Sequence, residues 1–439
     1  MSELQIGLLI VVVTLFILFS GLPIAWGLSL VAIVFLVIFE GPASLQNIPV
    51  LMMDELSSFA LLTIPLFVLL GSAIGVSAAG RDIYESMHRW LDRVPGGLVI
   101  ANILACGLFS AICGSSPATA AAIGKPGVPE MRKRGVPATL ATGAICAGGT
   151  LGILIPPSIT MILYGIATET SIGRLFLAGV VPGIMLVVMF SIYAWIATLM
   201  RRRELKADDI PAYTLREKFE GLGRVMPFLA IVVAIAYAMY GGLATPSEVA
   251  AISAALALAL VILIYRAYTL RDQWHIFRET VRESTMILMI IGAAALFSYM
   301  MSVLYVTQSA AQALVDLNFS PWMLMFAVNV FLLVAGCFLP PVAIILMVMP
   351  ILTPVLEASN FDLIWFAVVM TINLEVGLIT PPVGLNLYVL KGVAPDVPLT
   401  KVLWGSVPFV LIMLLEIVLL AFFPEIALWL PTLAMGAGG

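Results

Sequence analysis

The sequence predicts an all-α polytopic membrane protein built from inverted repeats, with two re-entrant helical hairpins and two broken helices. Three observations carry that expectation. First, 62% of the 439 residues are hydrophobic, only 10% are charged and the mean hydropathy is +1.13. A chain with that balance crosses a bilayer many times. Second, glycines, small hydroxyls and prolines interrupt the apolar sequence at Gly114–Gly124 (GSSPATAAAIG) and Gly148–Ser158 (GGTLGILIPPS). Backbone that leaves the helical ladder at membrane depth loses hydrogen bonds worth several kcal/mol each unless protein surrounds it, so such breaks mark a cavity. Third, a related pair recurs in the second half, at Gly336–Ala343 (GCFLPPVA) and Leu374–Gly384 (LEVGLITPPVG).

Leu4–Phe19 and Leu22–Phe39 are two apolar runs parted by Gly21 and Pro23, and each reads as a span. The N-terminus has neither a basic n-region nor a small-residue cleavage site, so the first run is a span and not a removable signal. Asn47–Ser58 is mixed and fits a surface segment. Phe59–Ala79 is the third span, and Arg81–Arg93, with Trp90, suits an interfacial helix. Gly97–Cys113 and Pro117–Met131 flank the GSSP tip. The second arm reaches roughly 22 Å at 1.5 Å per residue, short of a core of about 30 Å, which favours a re-entrant hairpin over a pair of tilted spans. Val136–Thr168 is long enough to cross but is broken at Pro156-Pro157, and Ile172–Met200 crosses again.

The strongly hydrophilic stretch Arg201–Gly221 divides the chain into two halves, 1–200 and 222–439. The second half runs through Leu222–Tyr240, Glu248–Tyr265, an amphipathic segment Arg266–Glu283 and the span Ser284–Val306. Pro321–Gly336 and Pro341–Leu356 form the second hairpin. Asp362–Lys391 is broken at Pro381-Pro382, and Val402–Phe423 closes the bundle.

Placing Arg201–Arg224 in the cytoplasm fixes every other loop. Of the 21 Lys and Arg residues, only Arg174 and Lys125 then fall outside cytoplasmic segments, as the positive-inside bias requires. Both termini come out periplasmic. The first hairpin enters from the cytoplasm and the second from outside, so the repeats are inverted. Pro117 to Pro126 and Pro341 to Pro350 have equal spacing, and G-x-L-I-P-P at Gly152 is echoed by G-L-I-T-P-P at Gly377. Inverted repeats with discontinuous helices point to a secondary transporter.

At each centre a hairpin tip faces a broken helix. Unwound carbonyls and hydroxyls there can surround a hard cation such as Na+, while half-helix N-termini favour an anionic substrate. The first cation site would draw on Gly114, Ser115, Ser116, Gly148, Thr150 and Gly152, and the second on Gly336, Leu339, Gly377 and Thr380. Ser116, Thr119, Ser158, Asn373, Thr380 and Asn386 are the candidates to reach a substrate. Small residues also let membrane helices pack closely, and for an isolated Gly or Ser that is the plainer role. Glu375, near the middle of its span, either carries a coupling proton or orients the loop around Gly377. Glu416, nearer a helix end, either snorkels or meets a partner.

Other classes find little support. The four cysteines lie in apolar stretches without metal-type spacing, and the two histidines fall in charged segments between spans. An intramembrane hydrolase therefore lacks its residues, so an enzyme is not expected. Basic residues sit in short loops beside membrane segments, which excludes nucleic acid as a partner. There is no G-x-x-x-x-G-K-[ST] motif to bind ATP.

The stretches GSSPATAAAIGKPGVPEM, GGTLGILIPPS and NLEVGLITPPVGLNLYV resemble the large membrane subunit of TRAP (tripartite ATP-independent periplasmic) transporters over nearly the whole chain. The resemblance implies a permease of the bacterial inner membrane that takes up an organic acid, such as a C4-dicarboxylate, by sodium symport and an elevator motion. It also implies two partners, a small four-helix membrane subunit and a periplasmic substrate-binding protein. The family's ion sites correspond here to Ser115, Ser116, Gly148, Gly152, Gly336, Gly377 and Thr380. Pro340 stands where the family often carries an acidic residue. The alternative within transport is a stand-alone dicarboxylate/ion antiporter of inverted-repeat design, which would need no binding protein.

Overall fold

A computed structural model describes residues 2–200, 213–309, 312 and 320–436, and among these no strand occurs. In chain order the α-helices of the first half are α1 (Glu3–Phe19), α2 (Ile24–Glu40), α3 (Ile48–Leu56), α4 (Thr63–Val76), α5 (Ala79–Trp90), α6 (Gly97–Cys113), α7 (Ser116–Lys133), α8 (Ala138–Thr150), α9 (Ile159–Ala167) and α10 (Ile172–Met200). The second half contributes α11 (Leu215–Tyr240), α12 (Pro246–Tyr265), α13 (Leu270–Val303), α14 (Pro321–Gly336), α15 (Pro341–Ala358), α16 (Leu363–Leu378), α17 (Leu385–Val393), α18 (Leu399–Phe422) and α19 (Glu425–Met435).

Helix starts follow local chemistry. Thr214 with Glu217 and Thr245 with Glu248 form reciprocal capping boxes that open α11 and α12, satisfying backbone donors that the first turn leaves free. Asp362 caps α16 by accepting from the Ile364 and Trp365 amides at 2.7 and 2.9 Å. Among the described residues seven helical segments are long and apolar enough to cross a membrane, and seven shorter ones are apolar. Large apolar side chains such as Phe16, Leu263 and Phe422 point outward, at 77%, 75% and 76% exposure. So broad an apolar surface suits lipid, not water.

Two sets of helices meet around the breaks. In one, α2 packs on α13, α4 on α12 and α13, and α5 on α11. In the other, α8 packs on α7 and α18, and α16 on α14 and α18. The α8–α18 contact crosses between halves and is made by bare backbone: a Cβ on Gly143 would lie 2.1 Å from the Gly405 carbonyl oxygen. Tyr164 of α9 donates to the Leu363 carbonyl at 2.7 Å, a second tie between halves.

Five elements differ from the sequence reading. Residues 215–221, expected in the linker, already belong to α11, because Thr214 and Glu217 provide a helix start there. The amphipathic stretch and the span after it are one continuous helix, α13, capped by Thr269, with no glycine or proline at the expected junction. The C-terminal α19, against α10, was not anticipated. The second arms of the hairpins, α7 and α15, each have 18 residues, or roughly 27 Å of helix. Arm length alone therefore separates a re-entrant arm from a span less sharply than the sequence implied.

Candidate functional site

The first centre is a chain reversal pressed against an interrupted helix. α6 ends at Gly114, whose φ of +64° is a left-handed conformation suited to glycine. Ser115 is extended, and the fully buried Ser116 opens α7. Opposite, α8 gives way to a 3-10 turn at Leu151–Ile153, and the chain stays non-helical until α9 begins at Ile159. The surfaces touch without side chains. A Cβ on Gly114 would lie 2.8 Å from the Pro157 carbonyl oxygen, and one on Gly152 would lie 2.8 Å from the Ser115 carbonyl group.

Hydroxyls fasten this arrangement. Ser158 caps α9 by accepting from the Met161 amide at 3.2 Å and donates to the Ile153 carbonyl, bridging the break. Thr119 donates to the Ser115 carbonyl at 2.9 Å. Thr150 donates to Ala147 within its own helix at 2.6 Å. Gly148 faces a different neighbour: its Cβ position is 2.9 Å from Cys106 Sγ on α6, away from the tip.

The second centre repeats the plan. α14 ends at Gly336, and a Cβ on Gly377 would meet the Gly336 carbonyl group at 2.4 Å. The Cys337 carbonyl accepts from the Val383 amide at 3.1 Å, so the tip and the unwound stretch after α16 share a hydrogen bond. Thr380 donates to Val376 at 2.6 Å, and Leu339 is partly buried against the core. Both double prolines, Pro156-Pro157 and Pro381-Pro382, have a cis peptide bond.

The two asparagines go to different places. Asn386, at the start of α17, donates its side-chain amide to Ser116 Oγ at 2.8 Å and to the Cys146 carbonyl at 3.2 Å. A residue of the second half thus completes the first tip. Asn373 instead donates to Asn329 Oδ1 of α14 at 2.6 Å and to Val369 at 2.8 Å, tying the second hairpin to its own broken helix. Ser116 and Asn386 are brought together, and Asn373 serves the other centre. Each amide oxygen, Asn386 Oδ1 and Asn373 Oδ1, is buried without a donor. These are uncommitted oxygens beside each tip, the hard ligands an alkali cation takes.

Among the described residues no cluster of three His, Cys, Asp or Glu side chains could hold a transition metal. Glu375 is fully buried on α16 with both carboxyl oxygens unpartnered. Glu416 on α18 is buried too, with no hydrogen-bond partner among the described residues, so it neither snorkels nor faces outward. Asn329 escaped the sequence reading, as did its counterpart Asn102 on α6, which donates to Leu98 at 2.7 Å. Both were signalled by a lone amide in an otherwise apolar arm.

A family model described as "Tripartite ATP-independent periplasmic transporter, DctM component" matches residues 10–426. The chain belongs to the large membrane subunits of TRAP transporters. Among TRAP relatives, it is 36% identical to the C4-dicarboxylate large permease DctM of Pseudomonas aeruginosa, covering 90% of this chain and 91% of that one. It is 34% identical to DctM of Rhodobacter capsulatus, covering 94% and 96%, and 30% identical to the sialic acid large permease SiaM of Vibrio cholerae, covering 96% and 97%. Its fold is similar to that of the Alcanivorax borkumensis YdaH transporter, at TM-score 0.67 and 15% identity over 90% of each chain. As a TRAP permease with several apolar helices it fits a multi-pass protein of the bacterial inner membrane.

Proposed function

We propose that this TRAP subunit carries an organic acid, a C4-dicarboxylate or a related carboxylate, across the inner membrane by sodium symport. The observation that carries the reading is the repeated contact of tip and break, at Gly114 with Gly152 and at Gly336 with Gly377, each beside a buried amide oxygen without a donor. Backbone carbonyls and amide oxygens of this kind suit Na+, and the N-terminal ends of α7 and α15 favour an anion between them. Ser115, Ser116, Gly152 and Asn386 would serve the first ion, and Gly336, Gly377, Thr380 and Asn373 the second. Ser116 and Asn386 also stand where the substrate would meet both halves.

The hairpins are read as re-entrant from opposite sides, with both chain termini periplasmic, and the helices bearing the breaks as an elevator sliding on α2, α4 and α11–α13. A periplasmic binding protein would deliver the cargo and a small membrane subunit would complete the complex. Reconstitution of the three components in vesicles tests this. Uptake should require an inward sodium gradient, and Ser116→Ala should raise the half-saturating sodium concentration about tenfold, the loss of roughly 1.4 kcal/mol. Uptake without the soluble partner would favour the stand-alone antiporter, and an unchanged sodium response would remove Ser116 from the ion site.

A further inference from the structure

Two cavities adjoin the first hairpin on the side read as cytoplasmic. The inner one, about 210 Å³, reaches the tip at Ser115 and is bounded by α4, α7 and α13. The outer one, about 700 Å³, opens between α4–α5 and the distal part of α7. Gly75, Val76, Ala122 and Lys125 line both, so the cavities meet at a neck. Lys125 is the one charged side chain at that neck.

The charges around it are unevenly committed. In the outer cavity Arg81 pairs with Glu85 at 2.8 Å and Arg134 with Glu130 at 2.9 Å. Arg89 donates to the Glu217 carbonyl and lies over the Tyr213 ring. Lys125 and Lys133 have no ion pair among the described residues, so the outer cavity keeps a surplus of positive charge. Tyr84 and His88, more than nine-tenths buried in its wall, present a hydroxyl and two ring nitrogens without partners. In the inner cavity Glu279 and Glu283, one helical turn apart on α13, share the wall with Lys125. Like charges at that spacing repel, yet among the described residues neither carboxylate forms an ion pair.

We propose that Lys125 takes the carboxylate of the cargo at this neck and passes it from the hairpin tip to the outer cavity. The proposal rests on the organic-acid reading above. An ammonium on a flexible stem can follow a carboxylate across the neck, and the outer cavity is of a size that holds a small metabolite. The surplus positive charge of the outer cavity, with Lys133 in its wall, receives the anion beyond it. Glu279 and Glu283 oppose an anion that lingers in the inner cavity and compete for Lys125, so the hold on the cargo is brief.

Competitive acylation of the reconstituted permease with acetic anhydride, read by mass spectrometry, tests this with succinate as the probe. Succinate should slow modification of Lys125 at least fivefold and leave the surface residue Lys401 unaffected, whereas uncharged succinamide should protect neither. Glu283→Gln should lower the half-protecting succinate concentration about threefold, because one competing charge is gone. Equal modification of Lys125 with and without succinate would overturn the assignment, even in vesicles that still take up cargo. Protection of Lys125 in vesicles that show no sodium-driven uptake would uphold the neck and instead overturn the transport reading.

Discussion

At the residue scale, one amide joins the two halves of the molecule at the first tip. Asn386 holds Ser116 Oγ and the Cys146 carbonyl together, and all three are buried. Replacing it with Ala strands a buried hydroxyl and a carbonyl, at about 1–3 kcal/mol. Asn386→Ala should therefore melt at lower temperature and lose uptake, and an unaltered melting point would show that the bond is not made in the membrane. Much of this centre was legible as polar residues inside apolar runs, which is how Ser115, Ser116, Thr119, Ser158 and Asn386 came to notice. What the sequence did not reveal is who meets whom. Asn373 and Asn386 look alike in their contexts, yet one bonds within its own repeat and the other across to the first. Only tertiary packing distinguishes them. Glu416 was misjudged for a similar reason, since position along a helix does not say which face is covered.

His88 gives a pH dependence at the same scale. It lies on α5, outside the spanning helices. Burial and the nearby Arg134 lower its pKa from 6.5, against raising contributions from Glu130 and Asp92 and a further lowering one from Arg89. Tyr84 and Tyr213 are its ring neighbours. The folded state thus binds fewer protons than the unfolded chain, so the stability from a neutral His88 is full above pH 6.5 and declines as the pH falls below it. His88→Phe should flatten the fall in melting temperature between about pH 7 and pH 5. A fall as steep as in the parent protein would assign the acid sensitivity elsewhere.

At the element scale, the helices were legible because hydropathy and proline punctuation are local signals. The helix ends at both tips and both breaks fall at the glycine, hydroxyl and proline clusters. Continuity was harder to read. Charges made the first part of α13 look separate from the span, although nothing in its sequence stops a helix there. Close backbone contact leaves even less trace, because a glycine that touches a neighbour looks like any other. Gly143→Ala would push a methyl carbon to 2.1 Å from the Gly405 carbonyl oxygen, so α8 and α18 must part. That change should destabilise by about 1–3 kcal/mol, as overpacking does. Gly223→Ala in α11, with nothing within 4 Å, should be neutral or stabilise by about 0.5–1 kcal/mol. Equal melting points for the two variants would contradict the packing described here.

At the scale of the whole molecule, proline spacing carries the signal of a duplication, and the distribution of basic residues is what points to its inversion. Neither signal depends on a contact, so both lie in the sequence itself. The direction of each hairpin has a direct test. Single cysteines at Lys133, the last residue of α7, and at Glu357, near the end of α15, would be introduced into a chain whose four cysteines are serine. A membrane-impermeant maleimide should label the first from the cytoplasm and the second from outside. Labelling of both from one side would dismantle the inverted arrangement and with it the two-sided carrier.

The glycine contact between α8 and α18 has a mechanical consequence. Segments joined carbonyl to glycine, with no side chain between them to yield, cannot shear past each other, and Asn386 adds a second rivet nearby. On the proposed elevator, a stroke that displaced one gate would drag its mirror image along, and fuel and freight would share a single carriage with no separate part left to slip.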